Sequence, residues 1–110
     1  MASPELQERW RITTEYLRDA RSHLSEAAER ICADEIGEFE DYLSHNELEL
    51  ALDSLEAAVF KSEFESLRVL ELLISAAESM GLEHYAARYR SAIERAQQAT
   101  EQRWQHRPPQ

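Results

Sequence analysis

The 110-residue sequence has little of what many functional sites need: one cysteine, two glycines and three prolines. A single cysteine excludes an internal disulfide and a zinc site built on several cysteines. Two glycines are too few for a glycine-rich phosphate loop, and the scarcity of glycine and proline favours long regular elements. Because the single cysteine cannot form an internal disulfide, we expect a reducing, cytoplasmic location and a buried, unreactive Cys32.

Long apolar segments and catalytic motifs are also missing. No stretch approaches the roughly 18 apolar residues that a membrane-spanning helix needs, and the first residues lack a signal peptide's apolar segment. None of the histidines has a Glu three residues before it, as a di-iron bundle needs, and Cys32 has no local catalytic partner. The sequence predicts no membrane partner, no metal, no cofactor and no enzyme activity.

Acidic residues are concentrated in the middle of the chain, whose formal net charge is -10. Residues 34–80 contain thirteen Asp and Glu, but only Lys61 and Arg68 as basic residues. Such a field repels phosphate backbones and attracts basic proteins, so we expect a basic protein partner and no direct contact with nucleic acid. The plainer alternative is a solvated surface kept acidic for solubility.

The spacing of apolar residues predicts helices along the whole chain. In the first third, apolar residues recur four and three apart, ending with Ala27 and Ile31 on the buried side. This pattern fits one long helix to about Cys32, or two helices broken near Ser22, with Ser22 and Ser25 as possible caps. We favour the long helix.

Residues 36–59 predict a helical hairpin, because apolar residues recur three and four apart on both sides of a polar turn. Asp34 is a candidate cap for the first helix of the hairpin. Asn46 and Glu49 have the spacing of a capping box, so we expect Asn46 to begin the second helix.

The last third predicts two more helices. Apolar residues cover most of the circumference of residues 64–80, which should form the most buried helix. Ser62 and Glu65 repeat the capping-box spacing before it, and Gly81 is placed to end it in a left-handed conformation. The final helix is expected over residues 82–104.

The fold class that follows is all-α, a compact antiparallel bundle of four to five helices. One domain is expected over residues 1–104, and residues 105–110 are expected to form a flexible tail. The heptad-like spacing of the first helix allows a weak homodimer as well as a monomer.

The hairpin carries the candidate partner-binding residues, because its outward positions are mostly acidic. An exposed tyrosine among carboxylates has the composition of an interface anchor, although Tyr42 also fits a partly buried position. The plainer role of His45 is packing and hydrogen bonding within the turn. The predicted contact residues are Glu38, Asp41, Tyr42, His45, Glu47, Glu49, Asp53 and Glu56.

The hairpin also resembles a known family. The residues that carry the resemblance are Tyr42-Leu43, His45-Asn46-Glu47, Leu50-Ala51-Leu52 and Leu55. In this order of aromatic helix end, polar turn and Leu-Ala-Leu helix, the segment is similar to MafI-type immunity proteins, small cytoplasmic antidotes of bacterial polymorphic and contact-dependent toxins. The resemblance implies tight binding to a cognate toxin, often a nuclease with a basic cleft, that blocks its active site or substrate cleft.

The main alternative is a helical adaptor or secretion chaperone that binds its partner through an apolar groove. This alternative predicts a sizeable exposed apolar patch and a stable homodimer through the first helix.

Overall fold

The computed structural model describes residues 2–63 and 66–105, the last three by their backbone alone. Within these residues the chain is all-helical and has no strand, which confirms the all-α class. Six helices are present where four to five were predicted: α1 (Pro4–Ser22), α2 (Glu26–Ile31), α3 (Ala33–Ser44), α4 (Leu48–Lys61), α5 (Leu67–Ser79) and α6 (Glu83–Gln105). All six contribute side chains to one compact apolar core.

The first third of the chain forms two helices, so the preferred long helix is wrong. The Oγ atom of Ser3 accepts the backbone N–H of Leu6 at 3.1 Å and begins α1, which ends at Ser22. The Oγ atom of Ser25 accepts the N–H of Ala28 at 3.1 Å and begins α2. A side chain that satisfies a first-turn N–H stabilises a new helix start, which here interrupts the longer one.

The break also changes which side of the chain is buried. Ala28 and Cys32 lie in the core, whereas Ala27 and Ile31 are exposed, so the predicted burial of the latter two is wrong. The thiol of Cys32 is buried and donates to the backbone oxygen of Ala58 at 3.3 Å. The prediction of a buried Cys32 is confirmed.

The turn between α3 and α4 ends one helix instead of capping the next. Asn46 has a left-handed backbone with φ of +57°. Its N–H donates to the oxygen of Leu43 at 3.1 Å, and the N–H of Glu47 donates to the oxygen of Tyr42 at 2.9 Å. These two bonds form a Schellman motif. Because α4 then begins without a side-chain cap, the predicted capping box of Asn46 and Glu49 is wrong.

Two other predicted caps also differ from the structure. No side chain caps α3, and Asp34 lies within its first turn, where a negative charge still stabilises the helix dipole. Ser62 follows α4 and bonds back to its last carbonyls, whereas Ser66 accepts an N–H of the first turn of α5. The capping box predicted for Ser62 cannot form at this position, and Glu65 lies outside the described residues.

Gly81 ends α5 as the sequence predicts. Its φ is +72°, its N–H donates to the oxygen of Glu78 at 3.0 Å, and the N–H of Leu82 donates to the oxygen of Ala77 at 2.9 Å. This second Schellman motif needs a left-handed residue, which glycine adopts without steric cost. α6 follows over nearly the predicted range, and residues 106–110 of the predicted tail lie outside the described residues.

The hairpin of α3 and α4 packs into the apolar core through both of its helices. α5 packs against α1 and α6, while α4 packs against α3 and also contacts α1, α2 and α5. Seven residues of α4 and six of α5 are buried, so the burial predicted mainly for α5 is shared with α4. Phe39 and Leu43 are buried from the α3 side, which fixes the outward side of α3 relative to α4.

Candidate protein-binding surface

The eight predicted contact residues all lie on the α3–α4 hairpin, but the structure divides them into two groups. The first group lies on α3 and in the turn and consists of Glu38, Asp41, Tyr42, His45 and Glu47. The second group begins in the first turn of α4 and consists of Glu49, Asp53 and Glu56. The two groups differ in what surrounds their carboxylates.

The carboxylates of the first group are directed to solvent. Glu38, Asp41 and Glu47 are all exposed, and the side chain of Asp41 is 73% exposed. Among the described residues, no Lys or Arg nitrogen lies within ion-pair distance of these three carboxylates. Glu38 and Glu47 have no ion pair within the described part of the chain, and the basic group nearest to Asp41 is the imidazole of His45, 3.8 Å away. We call these three residues the acidic strip.

His45 closes the end of α3. Its Nδ1 atom lies 2.8 Å from the backbone oxygen of Asp41 and 3.8 Å from Asp41 Oδ1. The hydrogen bond to the backbone of Asp41, followed by the charges of Asp41 and Glu47, raises the pKa of His45. A cation is favourable at the C-terminus of a helix. These contacts agree with the plainer role, in which His45 stabilises the turn.

Tyr42 is half-buried and packs against the core, as its alternative interpretation allows. Part of its side chain remains accessible beside the acidic strip. A half-buried aromatic side chain is already restrained before binding, so less conformational entropy is lost when a partner contacts it.

Asp53, in the second group, is already bonded within the chain. Its Oδ1 atom accepts a hydrogen bond from the hydroxyl of Tyr85 on α6 at 2.8 Å. This hydrogen bond is the main cause that raises the pKa of Tyr85 to about 12, and burial contributes next. Asp53 is half-buried in this position, so its carboxylate serves a contact between α4 and α6.

Glu56 is likewise paired with α6. Its Oε1 atom accepts from Nη2 of Arg88 at 2.7 Å, and only 19% of its side chain is exposed. The guanidinium carbon of Arg88 lies 4.4 Å from the centroid of the Tyr85 ring, within cation–π range. Arg90 of the same helix binds Glu78 of α5 at 2.9 Å.

Glu49 resembles the first group, although it lies on α4. It is exposed and has no ion pair with a described residue. It borders a shallow concavity at the turn end of the molecule, together with Trp10 and Leu82. Glu49 is therefore a further carboxylate without an ion pair, at the start of α4.

Sequence reasoning missed one residue of this surface, Leu50. Its side chain is 43% exposed, although its neighbours Leu48 and Leu52 are buried. The sequence does contain a signal, because Leu50 lies off the three-and-four spacing that defines the buried side of α4.

A separate apolar groove lies between α5 and α6. Its volume is about 500 Å³. Its lining consists of Leu67, Leu70, Ile93, Ala96, Gln97, Thr100 and Glu101. Leu67 is 56% exposed there. The groove is the feature of the structure that favours the adaptor alternative.

The described residues contain neither a candidate metal site nor a candidate membrane-spanning helix. No three His, Cys, Asp or Glu side chains come together there in a way that could hold a metal ion. No helix in the same part of the chain is both long enough and apolar enough to cross a lipid bilayer.

Comparison with known proteins gave no relatives: no family model, curated protein or solved structure matches the chain. The resemblance to MafI-type immunity proteins therefore stays a prediction.

Proposed function

We propose that this chain is an immunity protein that binds and neutralises a basic bacterial toxin domain. The toxin would be a nuclease or another enzyme acting on nucleic acid, and the immunity protein would cover its active site or substrate cleft. One observation carries the proposal: the exposed acidic strip of Glu38, Asp41 and Glu47 has no Lys or Arg partner among the described residues.

Several other acids of the same segment are paired within the chain. Glu35 binds Nζ of Lys61 at 2.7 Å, and Glu56 and Glu78 bind arginines of α6. A cleft that binds phosphates carries positive charge, so an acidic helical surface is complementary to it. Complementary charge mainly increases the association rate, which suits an antidote that must capture its toxin quickly.

The acidic strip is also held in place before binding. Phe39 and Leu43 anchor α3 in the core, and the Schellman motif fixes the turn. A preorganised surface loses little conformational entropy on binding, so more of the interaction energy appears as affinity.

Co-expression with the product of the adjacent gene tests the proposal most directly. We expect the neighbouring protein to inhibit growth when expressed alone, and this chain to restore growth and co-purify with it in a fixed ratio. A harmless neighbour, or a toxic one that is neither neutralised nor bound, would contradict the proposal.

Charge reversal tests the role of the acidic strip. In the complex with that neighbour, Glu38→Lys combined with Asp41→Lys should slow association about tenfold or more at low salt, and less at high salt. The matched control combines Glu71→Lys and Glu94→Lys, which make the same change in net charge at exposed positions of α5 and α6. Equal association rates for the two double variants would refute the role of the strip.

The second candidate is the helical adaptor, which the apolar groove favours. In that case Leu67→Glu should abolish partner binding, while the Glu38 and Asp41 reversal should leave it unchanged. The homodimer predicted by the adaptor alternative would need another surface than the first-helix stripe, because Leu17 and Ala20 are buried in the core. Sedimentation of the wild-type chain measures whether such a dimer exists.

A further inference from the structure

We propose that Leu50 is the apolar anchor of the complex, seated against an apolar patch that is surrounded by basic residues on the partner. The inference depends on the proposed function and adds to it a residue that carries no charge. It identifies the partner surface as mixed, with an apolar centre and a positive rim.

The exposure of Leu50 is not explained by the packing of the fold. The large exposed apolar residues among those described are Leu6, Ile31, Leu50 and Leu67. Only Leu50 lies on the α3–α4 hairpin. Because Leu48, Leu52 and Leu55 form the buried side of α4, a polar residue at position 50 would leave that packing intact.

The side of α4 that carries Leu50 adjoins the outward surface of α3. Lys61 lies eleven residues, or about three helical turns, after Leu50 and therefore on the same side of α4. Lys61 binds Glu35 of α3 at 2.7 Å, which places α3 next to this side of α4. Since the two helices run in opposite directions from a short turn, Leu50 lies towards the turn end, where α3 presents Tyr42.

The charges around Leu50 indicate which occupant fits. Glu49 directly precedes Leu50 and Glu47 lies three residues before it; both are exposed, and neither has an ion pair with a described residue. A second copy of this chain, related by a two-fold axis through Leu50, would bring these carboxylates against their own equivalents. Like charges at an interface oppose association, whereas a basic rim on a different protein neutralises them. The occupant is therefore the basic partner and not a second copy.

Charge and apolar contact would contribute to different rate constants. The acidic strip acts at long range and sets the association rate, while Leu50 is desolvated only in the final complex and slows dissociation. The apolar centre with a charged rim is the arrangement that holds the strongest contacts in protein interfaces.

The test measures association and dissociation of the purified adjacent-gene product with Leu50→Ala and Ile31→Ala. Both changes shorten an exposed aliphatic side chain within a helix to alanine, the residue with the highest helix propensity. We expect Leu50→Ala to dissociate about tenfold faster with an association rate within about twofold of wild type, and Ile31→Ala to change neither. Leu50→Met, which conserves volume, should restore most of the affinity.

The outcomes separate this inference from the proposed function. If the wild-type chain binds the neighbour but Leu50→Ala behaves like Ile31→Ala, the anchor is wrong and the proposed function stands. If the wild-type chain does not bind the neighbour, both fail. If Leu50→Ala converts a sedimenting dimer into a monomer and leaves partner binding intact, the occupant is a second copy and the inference is overturned.

Discussion

Removing the hydrogen bond between Tyr85 and Asp53 tests whether Asp53 stabilises the fold instead of contacting a partner. The two side chains join α6 to α4 through an O–O distance of 2.8 Å. Tyr85→Phe removes only the hydroxyl, so the ring under the Arg88 guanidinium is kept. Asp53→Ala removes the acceptor. The double variant completes a thermodynamic cycle that isolates the pair.

The expected coupling follows from the geometry. Hydrogen bonds to charged groups contribute about 1.5 to 3 kcal/mol to stability. Both side chains are only half-buried, so water competes for each of them and lowers the contribution. We therefore expect a coupling free energy of about 1 kcal/mol between the two changes.

Urea denaturation followed by far-ultraviolet circular dichroism measures the four free energies of unfolding in this cycle. As a control, the effects of Asp41→Ala and Tyr85→Phe on the unfolding free energy should be additive. Asp41 is exposed on α3 and Tyr85 is half-buried on α6, and the structure records no contact between them. Additivity of Asp53→Ala and Tyr85→Phe within about 0.3 kcal/mol would refute the structural role of Asp53. If Asp53→Ala slowed association with the partner as much as Asp41→Ala does, Asp53 would be a contact residue after all.

Three further predictions concern pH, glycine and capping. The folded-state pKa of Tyr85, about 12, lies above the ordinary value of 10.0. The stability that the protonated Tyr85 hydroxyl contributes is therefore complete below about pH 10 and is lost as the pH rises through 12. In urea denaturation, Tyr85→Phe should weaken the fall in unfolding free energy across that pH range. Gly37→Ala should stabilise the protein by about 0.5 to 1 kcal/mol, because Gly37 lies within a helix and an added Cβ meets nothing within 4 Å. Gly81→Ala should destabilise it by about 1 kcal/mol, because φ is +72° at this position. In thermal denaturation, the two changes in unfolding free energy should have opposite signs. Ser25→Ala should cost about 1 kcal/mol and Ser25→Asp should cost less, as measured by the same denaturation, because the cap of α2 is a side-chain oxygen.

The parts of the fold that depend on neighbouring residues could be predicted from the sequence. Gly81 ends α5 as expected, because its two backbone bonds join residues only a few positions apart. The break at Ser25 was an open alternative, since apolar spacing alone fits both one helix and two. Whether the chain forms one helix or two depends on how Ala28 and Cys32 pack against the rest of the core. The local sequence holds no information on that packing.

Asn46 illustrates a second limit. Asparagine is common both as an N-cap and as a left-handed residue after a helix, so its type alone does not distinguish the two roles. The spacing to Glu49 favoured the N-cap, but the backbone of the turn uses Asn46 in the left-handed role. The hydrogen bonds from the backbone N–H groups of Asn46 and Glu47 to carbonyl oxygens of α3 determine that Asn46 takes this left-handed role.

The candidate surface was predictable in its composition but not in its pairing. Outward positions of a helix follow from the apolar stripe, which is how the acidic residues of α3 were identified. Which acids meet a donor depends on where α6 lies. The bonds of Asp53 to Tyr85 and of Glu56 to Arg88 both join residues 32 positions apart.

The apolar side chains beside the acidic strip argue against solubility as the whole explanation of the acidic segment, because exposed acids without an ion pair to a described residue also occur elsewhere, at Glu71 of α5 and Glu94 of α6. On α1, Arg11 binds both Glu8 and Glu15, and the pairs between α4 and α6 neutralise charge in the same way. A requirement for solubility is met by negative charge anywhere on the surface, and it does not favour one helix over another. The acidic strip lies on one hairpin, next to a half-buried tyrosine and an exposed leucine. A binding surface needs charge and apolar side chains together, and the hairpin has both.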